Sequence, residues 1–409
     1  MAVVGAGAAG LMAAIHAASG GAEVLLLDRN GKGGSKILIS GGGRCNILPA
    51  EMDESRFVTD SSPNSLRKIL RSWPLREQIA FFETELDLAL VEETETGKLF
   101  PSTNRSADVH DGLLDLATQK GVTLVPDTRV EHLTPPGLEN ACWAVHLDEG
   151  RPSLNVGAVV LATGGLSVPA TGSDGGGLSM AGRLGHTLHP TYAALTPLTA
   201  SHRPFADLSG ISVTATVCAR SAAHKASSRG GILFTHKGYS GPAILDVSHV
   251  AVRALDASQE SEVTVQWTDR TVEQIEGALK PEGARTVRSA LQTLLPKRLL
   301  ERLAEMAGVP PDTSCSQIRK EQRRALVTLL TNGPLPVNGH AGYQKAEVTG
   351  GGVSLNEVDP VTLQSRRQPG LFLCGEVLDA FGPIGGYNFA WAWATGRSAG
   401  IGAMKHVTS

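Results

Sequence analysis

The feature that most constrains this chain is Gly5-Ala6-Gly7-Ala8-Ala9-Gly10, set between a short apolar run and a helical pattern. Ala2-Val3-Val4 precedes it as a strand. A helix follows from Leu11 to about Ser19, and Gly20-Gly21 stops it. Glu23-Val24-Leu25-Leu26-Leu27-Asp28 then returns as a second strand that ends in an acid. Strand, glycine turn, helix and strand within roughly thirty residues make a βαβ unit with parallel strands. In that setting the glycine spacing has a physical meaning. The first glycine allows a tight turn, the second lets backbone approach a pyrophosphate, and the third lets helix pack closely on strand. The diphosphate would rest on the helix N-terminus, where unbonded N–H groups and the dipole favour an anion. Asp28 would accept the adenosine ribose hydroxyls.

The fingerprint alone does not separate FAD from NAD. Three later segments favour FAD. Leu161-Ala162-Thr163-Gly164-Gly165 makes a turn after the buried strand 158–162. Gly375-Glu376 follows another strand and could hold a ribityl chain through its carboxylate. Gly385-Gly386-Tyr387-Asn388 opens the last helix, whose N–H groups and positive dipole end could stabilise negative charge at N1/O2 of a reduced flavin. No second Gly-x-Gly-x-x-Gly βαβ unit occurs, so a built-in NAD(P)H domain is not expected. NADH or NADPH is expected as a transient reductant.

At 409 residues the chain exceeds one ordinary core. Helical patterns occupy about 64–84 and 107–119, and short strands fill 121–148. Beyond Pro190 the pattern turns to short β-rich runs up to about 268, and 271–331 reads as helical with Leu291, Leu295, Leu299 and Leu303 as a core stripe. Strand character returns at 352–355 and 371–374, and the last helix covers about 387–404. The expected class is α/β. Its FAD-binding domain is discontinuous and Rossmann-like, with parts at 1–189 and 348–409. The insert is a β-barrel domain at 190–270 and 332–347, itself interrupted by a helical subdomain at 271–331.

A formal net charge of -3 gives no reason to expect nucleic acid or membrane as the main partner. No apolar stretch is long enough for a membrane span, and the N-terminal segment lacks the basic leader of a signal peptide. Cys45, Cys142, Cys218, Cys315 and Cys374 include no Cys-x-x-Cys pair, which fits a reducing, cytoplasmic setting without a disulfide framework or zinc site. His186, His189 and His202 are too irregularly spaced for a metal site.

The sequence resembles the BaiN/YhiN-like flavoproteins, also described as aminoacetone-oxidase-type FAD-binding enzymes. The resemblance is carried by Lys36-Ile37-Leu38-Ile39-Ser40-Gly41-Gly42-Gly43-Arg44-Cys45-Asn46, by Ala162 to Gly165 with Thr171-Gly172-Ser173, and by Leu233 to His236 with Ser240-Gly241-Pro242. It continues through Thr349 to Val353, Gly375 to Asp379 and Gly385 to Trp393, covering nearly the whole chain in order. It implies FAD placed as in the glutathione-reductase-2 group, the three-part build just given, and oxidoreductase chemistry. Relatives are associated with ene reduction of steroid-like enones and with amine oxidation, so membership leaves the small or steroid-like substrate open. Departures are Ile47-Leu48-Pro49, where relatives tend to have Leu-Thr-Asn, an Asp at position 28 rather than the commoner Glu, and only four residues ahead of Gly5.

The resulting cofactor set is Gly5, Gly7, Ala8, Ala9, Gly10, Asp28, Arg29, Lys36, Ser40, Gly41, Gly42, Gly43, Arg44, Cys45, Asn46, Val130, Ala162, Thr163, Gly164, Gly165, Gly375, Glu376, Gly385, Gly386, Tyr387 and Asn388. Three successive glycines at 41–43 let backbone lie against a flat ring. Arg44 could contact pyrophosphate, polarise a substrate carbonyl or form a structural ion pair. Ene reduction needs a proton donor opposite the hydride source, for which His236, Tyr239 or Tyr387 could serve. Cys45 reads as a buried structural thiol, and Trp391 and Trp393 as packing for the last helix. Residues 285–324 hold nine Lys/Arg and four Asp/Glu, read as a solvated helical face. The leading expectation is a two-electron FAD oxidoreductase. The alternatives are a flavin-dependent RNA-modifying or RNA-binding protein, supported only by that basic insert, and a non-catalytic flavin redox sensor.

Overall fold

The computed structural model describes all residues except 138–140, 149, 203, 282–284 and 311. It divides into one unit made of Met1–Thr191 with Val348–Ser409, and a second made of Tyr192–Glu347.

The first unit is organised by a parallel sheet. Its strands are β1 (Ala2–Val4), β2 (Leu25–Leu27), β3 (Thr123–Val125), β4 (Val159–Leu161) and β5 (Leu371–Leu373), in the spatial order β5-β4-β1-β2-β3. Ala2 pairs with Leu25 on one side and Val159 on the other. Every residue of β1, β4 and β5 is buried, as continuously apolar parallel strands require. The strands are shorter than the apolar runs in the sequence because pairing stops where the glycine turns begin.

Helix α1 (Ala8–Ser19) follows β1 and is rich in Ala, Leu and Met, which lose little side-chain entropy in a helix. Leu11, Met12, Ala13, Ala14 and Ile15 are all buried, so α1 is covered on more than one side. One cover is the last helix, α3 (Tyr387–Thr408). A Cβ placed at Gly396 would collide with the carbonyl oxygen of Ala9, and one at Gly400 with that of Ala13. Small residues four apart on both helices therefore let the two backbones touch, joining the chain's first helix to its last. Trp391 and Trp393 fix α3 laterally. Each is almost fully buried, and their indole N–H groups donate to Gly375 O and Ile47 O, both at 3.1 Å. Burying each indole contributes roughly 4–6 kcal/mol before entropy is counted.

The helical pattern at 64–84 resolves into α2 (Pro63–Leu70) and a second helix, Leu75–Thr84, broken at Trp73-Pro74. Proline cannot donate to the preceding turn, which accounts for the break. A three-stranded antiparallel sheet of Val130–Thr134, Trp143–Leu147 and Leu154–Val156 fills the stretch before β4.

The second unit holds a seven-stranded sheet whose longest members are Ser212–Ser221 and Lys225–Phe234. Its end strands, Gly333–Pro334 and Gly339–His340, are two residues each. Among the described residues these end strands pair inward only. The β-rich reading of 190–268 missed a helix of fifteen residues, Pro242–Asp256. Its alternating Val and Ala residues imitate a strand. Its buried set of Ala243, Ile244, Val247, Val250, Ala251 and Ala254 recurs every three or four residues and packs on the sheet. The helical insert comprises Val272–Ala278, Val287–Leu291, Lys297–Met306 and Lys320–Asn332. Leu291, Leu295, Leu299 and Leu303 are buried there as the stripe predicts.

Candidate functional site

The fingerprint turn sits at the carboxyl end of β1. Gly5 has φ +100°, and a Cβ there would lie 2.6 Å from Ala162 O, so only glycine allows β1 and the turn after β4 to meet. At Gly7, by contrast, a Cβ would meet nothing within 4 Å. Open space therefore lies over the N-terminus of α1. No side chain caps that end, and no acid lies in its first turn. The first-turn N–H groups of Ala8, Ala9 and Gly10 are left for an anion. Asp28 is buried and organises the loop: Oδ2 accepts from Ala6 N at 2.6 Å and Oδ1 from Asn30 N at 2.8 Å. Each oxygen keeps acceptor capacity for a hydroxyl. Arg29 is ion-paired with Asp174, which also lies 3.4 Å from Arg129. Val130 is buried at the start of its strand beside this group. After β4, Ala162 N donates to Val4 O at 2.9 Å. Thr163 and Gly164 lead the chain away, and Gly165 O accepts from Gly175 N at 3.1 Å.

A polar clamp joins the two sequence-distant halves. Lys36 Nζ lies 2.9 Å from Glu376 Oε2 and 2.6 Å from Ser167 Oγ. Glu376 Oε1 accepts from Ser167 Oγ at 2.7 Å and from Thr349 N at 2.9 Å. Thr349 Oγ1 in turn accepts from Leu166 N and Ser167 N. Burial pushes the Glu376 carboxyl up, but the Lys36 ammonium and the hydrogen bonds from Ser167, Lys36 and Thr349 outweigh it and hold it below its ordinary value. Gly375 is fixed from α3, its N–H donating to Thr395 Oγ1 at 2.9 Å.

The segment 40–46 is a left-handed turn. Gly41, Gly42 and Gly43 have φ of +56°, +68° and +85°, and all three are exposed. A Cβ at Gly42 or Gly43 would meet nothing within 4 Å, so the outer surface is bare backbone. Ser40 closes the turn, its Oγ donating to Ile37 O and its carbonyl accepting from Cys45 N. Asn46, with its amide oriented to satisfy both neighbours, donates to Leu48 O at 3.2 Å and accepts from Gly386 N at 2.9 Å. That hydrogen bond ties the glycine turn to the N-terminus of α3. Gly385 precedes it with φ +124°. Asn388 braces the approach by exchanging two hydrogen bonds of 2.9 Å with Gly382.

The candidate proton donors lie in different surroundings. Tyr387 is buried; its hydroxyl donates to Glu51 O at 3.2 Å, and the Arg56 guanidinium lies 5.3 Å from its ring centroid. Arg44 is exposed, 3.0 Å from Glu93 and 4.1 Å above the Phe100 ring, which is the structural ion pair among its three readings. His236 belongs to the second unit, exposed on the turn between Lys225–Phe234 and Gly238–Ser240. Tyr239 is buried, and burial pushes its hydroxyl up to about 12. Cys45 is fully buried, and burial raises its thiol to about 12 against a smaller opposing effect of the Ser40 hydrogen bond.

The residues present fit FAD: an uncapped helix end beneath open space, a buried acid at the end of β2, and a bare glycine surface joined to a second helix N-terminus. Ser167 and Thr349, which position Glu376, were not foreseen as site residues. Ser167 stands 209 residues from the carboxylate it binds, so no local spacing announces it. Among the described residues, no group of His, Cys, Asp and Glu could hold a metal ion, and no helix is long and apolar enough to cross a membrane.

Comparison with known proteins agrees with this geometry. The family model described as HI0933-like protein Rossmann domain matches residues 1–402. The 3-dehydro-bile acid delta(4,6)-reductase of Clostridium scindens is 32% identical over 412 residues, covering 98% of each chain. The ribosomal RNA dihydrouridine synthase of Escherichia coli is 33% identical, covering 96% of this chain and 95% of its own. In fold, the chain is similar to the 3-ketosteroid delta1-dehydrogenase of Sterolibacterium denitrificans, with a TM-score of 0.55 at 14% identity and 99% of each chain covered. With its nucleotide cradle and nearly full-length match, the chain belongs to the HI0933-like Rossmann family and is an FAD-dependent oxidoreductase.

Proposed function

We propose that the protein reduces a carbon–carbon double bond conjugated to a carbonyl. The observation that carries this reading is the bare backbone surface at 41–43 tied through Asn46 to the N-terminus of α3. A planar ring seated there meets no side chain, and the helix end stabilises negative charge on its far edge. Bound FAD would supply the two-electron chemistry, hydride to the carbon β to the carbonyl. The names of the two curated relatives fit one bond class. A delta-4 double bond beside a 3-keto group and the C5=C6 bond of uracil beside its C4 carbonyl are both such conjugated systems.

The chain's own task is then to bind the acceptor, exclude water, and deliver a proton to the carbon α to the carbonyl. The test is anaerobic reduction of the bound flavin by NADH and by NADPH, followed by mixing with a cyclic enone or with oxygen. Rapid reoxidation by the enone is the expected result. Reoxidation by oxygen alone, with the enone inert, would sink the reading in favour of an oxidase.

A further inference from the structure

Helix α2 and the C-terminal half of α3 enclose a groove of about 920 Å³ that the flavin chemistry does not use. Its walls carry Arg67, Lys68, Arg71, Arg397 and Lys405, and no acid lines it. A chain of net charge -3 thus gathers five cations in one concavity. Arg71 is held by Glu54. Arg397 is set in place, with its guanidinium 5.4 Å from the Trp73 ring centroid and an N–H 3.5 Å from Ser72 O. Among the described residues, Arg67, Lys68, Arg397 and Lys405 have no acid within ion-pair distance. In the basic helical insert Arg288 pairs with Glu301 and Asp312, and Arg302 with Asp207 and Glu305.

The arrangement narrows the ligand. On α2, Arg67, Lys68 and Arg71 share one face; on α3, Arg397 and Lys405 are spaced by eight residues, on the order of 12 Å along the axis. The cations are spread over two helices and along the length of one of them, which suits a chain of phosphates better than a single anion. A concave site does not match a flat bilayer. The groove centres near Ile401, on the order of 20 Å down α3 from the helix end beside the glycine turn, too far for a hydride-donating dinucleotide seated there to act. A single strand is the form in which a uracil base is unpaired and open to chemistry on its ring.

We infer that this groove holds the sugar–phosphate backbone of single-stranded RNA. The inference deepens the reaction proposed above, because uracil carries the required conjugated bond, and it rests on that reading only for what happens after binding.

The test uses the full-length holoprotein and a fluorescein-labelled single-stranded RNA of about twenty nucleotides, read by anisotropy across a salt series. The K68E/K405E and R67E variants are compared at matched flavin content and melting temperature. Expected are at least tenfold weaker binding in K68E/K405E and a shallower salt dependence, by about 0.7 in log–log slope for each phosphate no longer neutralised. Reduction of a small cyclic enone should be unchanged in both variants. RNA binding that is absent, or equal in wild type and variants, overturns the inference. So does tighter binding to single-stranded DNA of the same sequence or to anionic phospholipid vesicles. A holoprotein that binds RNA through these cations but reduces no enone leaves the groove standing and refutes the proposed reaction.

Discussion

Lys36 Nζ lies 2.9 Å from Glu376 Oε2 although 340 residues separate them in the chain. The pair closes the discontinuous unit at the point where the glycine-rich segment after β2 meets the turn after β5. Side-chain exposures of 29% and 16% place the pair between surface and core, so breaking one partner should be felt without unfolding the protein. Glu376→Gln should lower unfolding free energy by about 2 kcal/mol and weaken FAD retention. Lys36→Met added to it should recover part of the loss, because the uncompensated ammonium is gone. Urea unfolding and flavin fluorescence in a double-mutant cycle measure both, and strictly additive effects would show that the two groups act independently.

Glycines at two places should separate folding from cofactor binding. Gly7 has an ordinary φ of -74°, and a Cβ there meets no protein atom, so Gly7→Ala should change stability by less than about 0.5 kcal/mol. The methyl group would occupy space that the diphosphate needs, and FAD affinity should fall at least tenfold. Gly400→Val should do the reverse in order of cause. Its side chain would drive α3 away from Ala13 O and cost about 3 kcal/mol or more, with flavin lost only as a consequence. Differential scanning fluorimetry alongside FAD titration distinguishes the two patterns. A Gly7→Ala protein that binds FAD normally would refute the cradle.

Local pattern made the nucleotide unit legible. Gly5, Gly7 and Gly10 stand within one turn of chain, and Asp28 ends the next apolar run, so the βαβ unit is written in adjacent residues. The α1–α3 seam was legible only as composition, since Gly396 and Gly400 acquire meaning when Ala9 and Ala13 are set against them. The helix Pro242–Asp256 was hidden because Val247, Val250 and Val252 carry strand propensity while tertiary packing selects helix. The clamp around Glu376 was half legible. Its carboxylate follows a strand and a glycine, but Ser167 and Thr349 reach it by tertiary folding alone. Arg44 could not be assigned from sequence because Glu93 and Phe100 lie on distant strands.

Cys45 sits at φ +59° beneath the glycine turn, fully buried, with its thiol pushed up to about 12. A thiol so far from ionising is neither nucleophile nor metal ligand at neutral pH. Iodoacetamide at pH 8 should therefore leave it unmodified in the folded protein and label it only in urea, as read by mass spectrometry. Cys45→Ser should retain flavin reduction by NAD(P)H within about twofold, since no electron passes through the sulfur. Fast native-state labelling would show that the turn opens, and would contradict the packing described here.

His16 links the nucleotide unit to acid sensitivity. It lies in the last turn of α1 with its ring 5.5 Å from Trp73 and 5.6 Å from Phe81, and its Nε2 has no hydrogen-bond partner. Burial, with the nearby charges of Arg397 and Lys120 adding to it, lowers its pKa from 6.5 to about 4. Between these values the unfolded chain binds a proton that the folded chain refuses, so stability rises with pH across the window. The full contribution is present above pH 6.5. It falls as the pH drops toward 4, by up to about 3 kcal/mol, and then levels off once both states are protonated. His16→Phe keeps an aromatic ring between Trp73 and Phe81 and has no proton to bind. Urea unfolding at intervals from pH 7 to 4 should show the wild type losing stability over that range and the variant losing distinctly less. Parallel curves for the two proteins would place the acid sensitivity elsewhere in the chain.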